Sequence, residues 1–117
     1  MFFDLLRVLW AAPGVELDRG RLSIHSAAKV ARARAAGLPT RPVESRVRLR
    51  RIIAHVDRRF PDGGNCLRRA LLEMSLDPGA AKERLFAGLR SRGGLRSGHA
   101  WLASESPREV YDAVISI

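Results

Sequence analysis

An α+β domain, with helices first and a small antiparallel sheet last, is the fold class this 117-residue chain predicts, and three observations predict it. Apolar residues recur at helical spacing over the first two thirds of the chain. Beyond Gly79 the period changes to alternation in three short runs separated by Gly- and Ser-rich turns. Helices that precede strands, rather than alternating with them, suggest N-terminal helices packed on one sheet. The composition, 46% hydrophobic and 28% charged, suits one core and a single domain over residues 1–117. Within it, residues 1–40 form a helical N-terminal part and residues 43–117 the main body. No internal repeat, low-complexity tract or linker divides them.

Taken in order, residues 2–11 read as a short helix ended by "APG", and residues 22–36 as an Ala-rich helix stopped by Gly37 and Pro39. A third helix runs from Glu44 or Ser45 to Phe60, where Pro61 prevents continuation and "DGG" permits a sharp turn. Leu49, Ile52, Ile53, Val56 and Phe60 give it an apolar face. Asn65 is placed to cap a fourth helix that starts at Cys66, buries Leu67, Ala70, Leu71 and Met74, and closes at Pro78 and Gly79. This helix is expected at the centre of the domain. "RLFAGLR", "HAWLA" and "EVYDAVISI" are the three expected strands, joined by "SRGGLRSG" and "SESPR".

A formal charge of +9, almost all of its positive part from arginine, favours acidic partners at long range. Arg41, Arg46, Arg48, Arg50, Arg51, Arg58 and Arg59 make the third helix basic on one side, either as a solvated face or as a surface for an acidic chain. No zinc-ligand spacing, RNA-binding aromatic signature or Walker loop accompanies them, so no metal, cofactor or stable nucleic-acid complex is expected. One cysteine makes no internal disulfide. The opening "MFFDLLRVLW" is interrupted by Asp4 and Arg7, and no run approaches the roughly 18 apolar residues of a membrane span. A cytoplasmic protein without a membrane span is the expectation.

Cys66 carries the chemistry of interest. At a helix start the first N–H groups lack intrahelical partners and the macrodipole is positive, which stabilises a thiolate relative to a thiol. The N–H of Cys66, with Asn65 beside it, can donate to the oxygen of a tetrahedral intermediate. A lone cysteine is also commonly a small buried hydrophobe. Of the three histidines, His25 and His55 lie within helices with no obvious companion, whereas His99 opens a strand after "GGLRSG" and can face the helix start as general base. Asp112 interrupts "VYDAVISI" on the face of Val110, Val114 and Ser116, where a carboxylate needs a partner, and His99 on a neighbouring strand is the obvious one. An exposed edge position for Asp112 is the alternative. Glu105 and Glu109, in the turn before it, are further choices for the acid. Trp101 suits either the core or the wall of a substrate groove. Arg90, Arg92 and Arg96, around the approach to His99, are expected to attract acidic residues.

The ordered set "CLRRALLEM", "LFAGLR", "SGHAWL" and an acid in a final strand resembles the leader peptidases of lasso-peptide biosynthesis. The catalytic domain of that family is similar to the transglutaminase-like, papain-related cysteine peptidases. The resemblance covers residues 43–117, including "RRFP" before the cysteine loop. It implies a cysteine peptidase core there, with Cys66 as nucleophile, His99 as base and then acid, and Asp112 as the orienting group. The implied activity is removal of the leader from a ribosomally made precursor before macrolactam formation. Its implied partners are the precursor (leader) peptide, a macrolactam synthetase, and a separate leader-recognition protein, since residues 1–40 show no three-stranded pattern. Many members carry an acid shortly after "HAW", where Ala103 and Ser104 precede Glu105 here, so the third group stays open among Asp112, Glu105 and Glu109. Three other functions fit the same residues: an acyltransferase of the same fold, a non-catalytic basic module for nucleic acid or acidic peptide, and a non-catalytic scaffold that holds the biosynthetic enzymes together.

Overall fold

The structure is a computed structural model that describes residues 2–92, 95–105, 111 and 113–117. Five helices and a three-stranded antiparallel sheet are found among them, in the order helices then strands. The helices are α1 (Phe2–Arg21), α2 (Ile24–Ala35), α3 (Val43–Asp57), α4 (Cys66–Leu76) and the single turn α5 (Pro78–Ala81); the strands are β1 (Leu85–Arg92), β2 (Leu95–Leu102) and β3 (Ala113–Ser116).

α1 is twice the expected length, because Pro13 lies inside it instead of ending it. Proline removes the bond to the carbonyl four residues back and normally costs ~3 kcal/mol in a helix interior. Here Val8, Ala12 and Val15 form one buried stripe on both sides of it, while Leu9, whose carbonyl loses that bond, is on the exposed side. Tertiary burial of the stripe therefore outweighs the local penalty. α2 starts at Ser23, whose hydroxyl accepts from the Ser26 N–H, and presents Ala27, Ala28, Ala31 and Ala35 inward. Side chains this small let α2 lie close against α4. α3 begins at Val43 and ends at Asp57, three residues before the expected Phe60, as the chain tightens into turns closed by Arg59 N–H to Val56 and Phe60 N–H to Asp57.

α4 is the central helix, as its position in sequence suggested. Arg68, Ala70, Leu71, Leu72, Glu73, Met74 and Ser75 are all buried, and α1, α2, α3, α5 and β2 pack around it. Pro78 closes it but also opens α5, an unforeseen turn capped by the Asp77 carboxylate on the Gly79 N–H.

Strand order is β2-β1-β3. His99 is therefore not on the strand next to β3, as the expected pairing with Asp112 required, because β1 lies between them. β2 also begins earlier than "HAWLA", so His99 is its fifth residue, paired with Gly88, and does not open the strand. Gly98, read as part of a turn, is within the ladder opposite Leu89. Of "EVYDAVISI", Ala113–Ser116 forms the strand, and Glu109, Val110 and Asp112 lie outside the described residues.

Arginines join these layers. Arg41 grips Asp4 through two bonds of 2.8 and 3.1 Å, and Arg46 bridges Asp77 and Glu83 at 2.6 Å each. Arg32 donates to the carbonyls of Ala81, Glu83 and Ile117. Arg68, fully buried, meets Glu16, Asp57 and Asp62 and lies 4.0 Å over the Phe60 ring. Among the described residues no helix is long and apolar enough to cross a membrane.

These pairs set an acid limit. Hydrogen bonds from Arg68 and then Arg19 hold the Glu16 carboxyl at about 2 against an ordinary 4.5. Arg41 lowers Asp4, and Arg68 lowers Asp62. Carboxyls lowered in the folded state add stability that is complete above their unfolded values and lost as pH falls through the folded ones. The contribution of these pairs to the urea midpoint is thus expected to be complete above about pH 5 and to fall steeply between about pH 4 and 2. A midpoint unchanged at pH 2.5 would contradict the pairing.

Candidate active site

The loop that delivers Cys66 is built on Asp57 and Arg68. The Asp57 carboxylate accepts from the Gly64 N–H at 2.8 Å and from Arg68 at 2.6 Å, so the end of α3 and the start of α4 are fastened to one buried ion pair. Gly64 has φ +87°, a left-handed turn that favours glycine. Gly63 is confined differently, since a Cβ there would meet Arg58 and Asp57 backbone atoms at 3.0 to 3.1 Å. Next, Asn65 caps α4, its Oδ1 accepting from the Arg68 N–H at 2.9 Å. The N–H groups of Cys66 and Leu67 precede the helical ladder and lie at the positive end of α4. Asn65 keeps its Nδ2 as a further donor.

Cys66 is half-buried, and its Sγ accepts from the Ala100 N–H at 3.2 Å. β2 is an edge strand, so this N–H meets the sulfur where a further strand would otherwise sit. His99 is the residue before Ala100, and both it and Cys66 line one cavity of about 160 Å³ at this edge. Neither His25 nor His55, both exposed, lines it.

Trp101 is both packed and in the cavity wall. It is buried, and it stacks on His99 (centroids 5.7 Å apart, 19° between planes), on Tyr111 (5.3 Å) and on Phe86 (5.8 Å). The His99 ring also lies 6.2 Å from that of Tyr111, nearly parallel at 11°. Gly88 makes this stack possible, for a Cβ there would lie 2.6 Å from Tyr111 Cγ and 3.0 Å from Trp101 Cζ3. Gly88→Ala is accordingly expected to expel the Tyr111 ring, at about 1–3 kcal/mol for an overpacked site. Urea unfolding and near-ultraviolet circular dichroism check this. An unchanged aromatic spectrum would show that the ring accommodates the methyl.

Asp112 and Glu109 lie outside the described residues. Glu105, exposed, borders the cavity. A carboxylate the sequence reading passed over, Glu73, lies in its wall, two helical turns after Cys66 on the same face of α4. The spacing Cys66, Ala70, Glu73 was the available signal. Burial pushes the Glu73 carboxyl above its ordinary value, although Arg50 at 2.9 Å pulls it down. Arg50 and Arg69 also line the cavity. Arg90 is half-buried on β1, while the side chains of Arg92 and Arg96 lie outside the description. Among the described residues no group of three or more His, Cys, Asp or Glu is gathered to hold a metal ion.

A thiol with a backbone donor on its sulfur, an imidazole in the same cavity and two N–H groups at a helix start are the parts that nucleophilic attack on a carbonyl requires. Compared with protein-family models, with curated proteins and with solved structures, the chain matches none.

Proposed function

We propose that the protein is a cysteine peptidase that removes the leader of a ribosomally synthesised lasso-peptide precursor before macrolactam formation, with residues 43–117 as a transglutaminase-like core. The observation that carries this reading is that Cys66 and His99 line one cavity, with Ala100 donating to the sulfur at 3.2 Å. The order of Cys66, His99 and a following acid along the chain supports the family assignment.

In this mechanism the Cys66 thiolate attacks the scissile carbonyl, and its oxygen takes the N–H of Cys66 with Asn65 beside it. His99 protonates the departing amine. Water then attacks the thioester with His99 as base, returning the free leader carboxylate and the thiol. The Trp101 and Tyr111 rings hold the imidazole plane through both steps. Asp112 is the orienting acid in the family pattern; because β1 separates β2 from β3, it would reach His99 from the segment before β3 and not across a strand pair. The precursor is presented by a separate leader-recognition protein and the product passes to a macrolactam synthetase.

Incubating a precursor peptide and its recognition partner with the protein, and weighing the products, tests the reading. Hydrolysis is expected, giving a leader acid and a core peptide with a free N-terminus. A leader joined to an added amine would instead assign acyl transfer, and an intact precursor would remove the peptidase assignment.

A further inference from the structure

The basic side of α3, continuous in sequence, is divided in the folded protein. Arg41, just before α3, and Arg46 and Arg50 within it turn to the acids Asp4, Asp77, Glu83 and Glu73. Arg48, Arg51, His55 and Arg58 remain exposed, three, four and three residues apart, and so line one edge of the helix. No ion pair joins them to a carboxylate among the described residues. Asp57 at the end of α3 is buried against Arg68 and does not neutralise them. The edge runs beside Arg50 and Ala54, which belong to the wall of the cavity that holds Cys66 and His99. Arg69 joins that wall from α4, its Nε buried without a hydrogen-bond acceptor among the described residues, with Asp57 at 3.8 Å.

We propose that this edge of α3 docks an acidic stretch of the polypeptide substrate next to the bond that Cys66 attacks. The proposal rests on the peptidase reading for the identity of the chain that is docked. Ten residues of helix span ~15 Å, a length that an extended peptide covers in about five residues at ~3.3 Å each. Alternate side chains of such a strand point the same way about 6.6 Å apart. Two or three carboxylates at alternate positions thus match a row of cations spaced by one helical turn. The edge suits a peptide better than a nucleic acid, because α3 contains no Phe, Trp or Tyr on which bases could stack.

The test uses the full chain carrying Cys66→Ala and a fluorescein-labelled peptide with Glu at three alternate positions, followed by fluorescence anisotropy. Adding Arg51→Glu and Arg58→Glu is expected to weaken binding at least tenfold. Arg7→Glu with Arg21→Glu on α1 makes the same change in net charge and is expected to alter binding less than twofold. Equal losses from both pairs would overturn the proposal in favour of bulk charge. It would equally be overturned by a Gln-substituted peptide that binds as well, or by a single-stranded DNA of equal charge that binds more tightly and responds to the same α3 substitutions. Peptide binding that depends on Arg51 and Arg58, without any cleavage of precursor by the wild type, would end the peptidase reading and keep the docking edge. Cleavage together with binding indifferent to those two arginines would do the reverse.

Discussion

Arg68→Met is expected to destabilise the protein by about 3–5 kcal/mol, the range for breaking a buried ion pair by removing one partner. Arg68 has no exposed surface, and its guanidinium serves Glu16 at 2.5 Å, Asp57 at 2.6 Å and Asp62. Burial opposes its charge, but Glu16, Asp62 and Asp57 together raise its pKa above the ordinary arginine value. Methionine fills much of the same volume, so the expected loss is electrostatic rather than a cavity effect. Asp57, which is almost fully buried, would be left with Gly64 N–H and the distant Arg69. The turn that presents Asn65 and Cys66 would loosen with it. Arg68→Lys keeps the charge but cannot reach three carboxylates with a fork of donors, so an intermediate loss is expected. Urea unfolding at pH 7 measures both variants. A loss under about 1 kcal/mol for Arg68→Met would mean that the network is not what fastens α4 to α3.

Cys66→Ala and His99→Ala are each expected to lower leader removal by at least about 10³-fold, with the double variant no worse than the more damaging single one, because nucleophile and base act as a unit. Neither side chain is needed to hold the core. Cys66 packs at its border and His99 is half-buried on the outer side of an edge strand. The unfolding midpoint of both variants should therefore stay close to that of the wild type, and this separates lost chemistry from lost fold. Additive losses would show that the two groups do not share a step. Cleavage by His99→Ala at the wild-type rate would assign the base to another residue.

The parts of this architecture with local causes were legible in the chain. Asn65 before an amphipathic run announced the start of α4, and the order of helices before strands announced its central place. The change of period after Gly79 announced the sheet. Where a local signal competed with a tertiary one, whether burial or strand pairing, the tertiary one won. Pro13 is a helix breaker by propensity, yet the stripe of Val8, Ala12 and Val15 carries α1 through it. Gly98 is a turn residue by habit, yet opposite Leu89 it continues a ladder.

Non-local pairing left no local trace. The order β2-β1-β3 follows from which edge of β1 receives the final strand, and no periodicity states that choice. For the same reason Arg68 read as one more cation on a helix, although its partners are drawn from α1, the end of α3 and the following turn. The choice of Cys66 and His99 rested on residue chemistry and on the resemblance of their surroundings. Glu73 and the Tyr111 stack needed the folded chain.

The most direct measurement of the central claim is the mass of the protein quenched in acid during turnover of a precursor peptide. A leader acyl group joined as a thioester to Cys66, removable by hydroxylamine and absent from Cys66→Ala, is the predicted result. Release of the leader with no such adduct and at an undiminished rate in Cys66→Ala would contradict it.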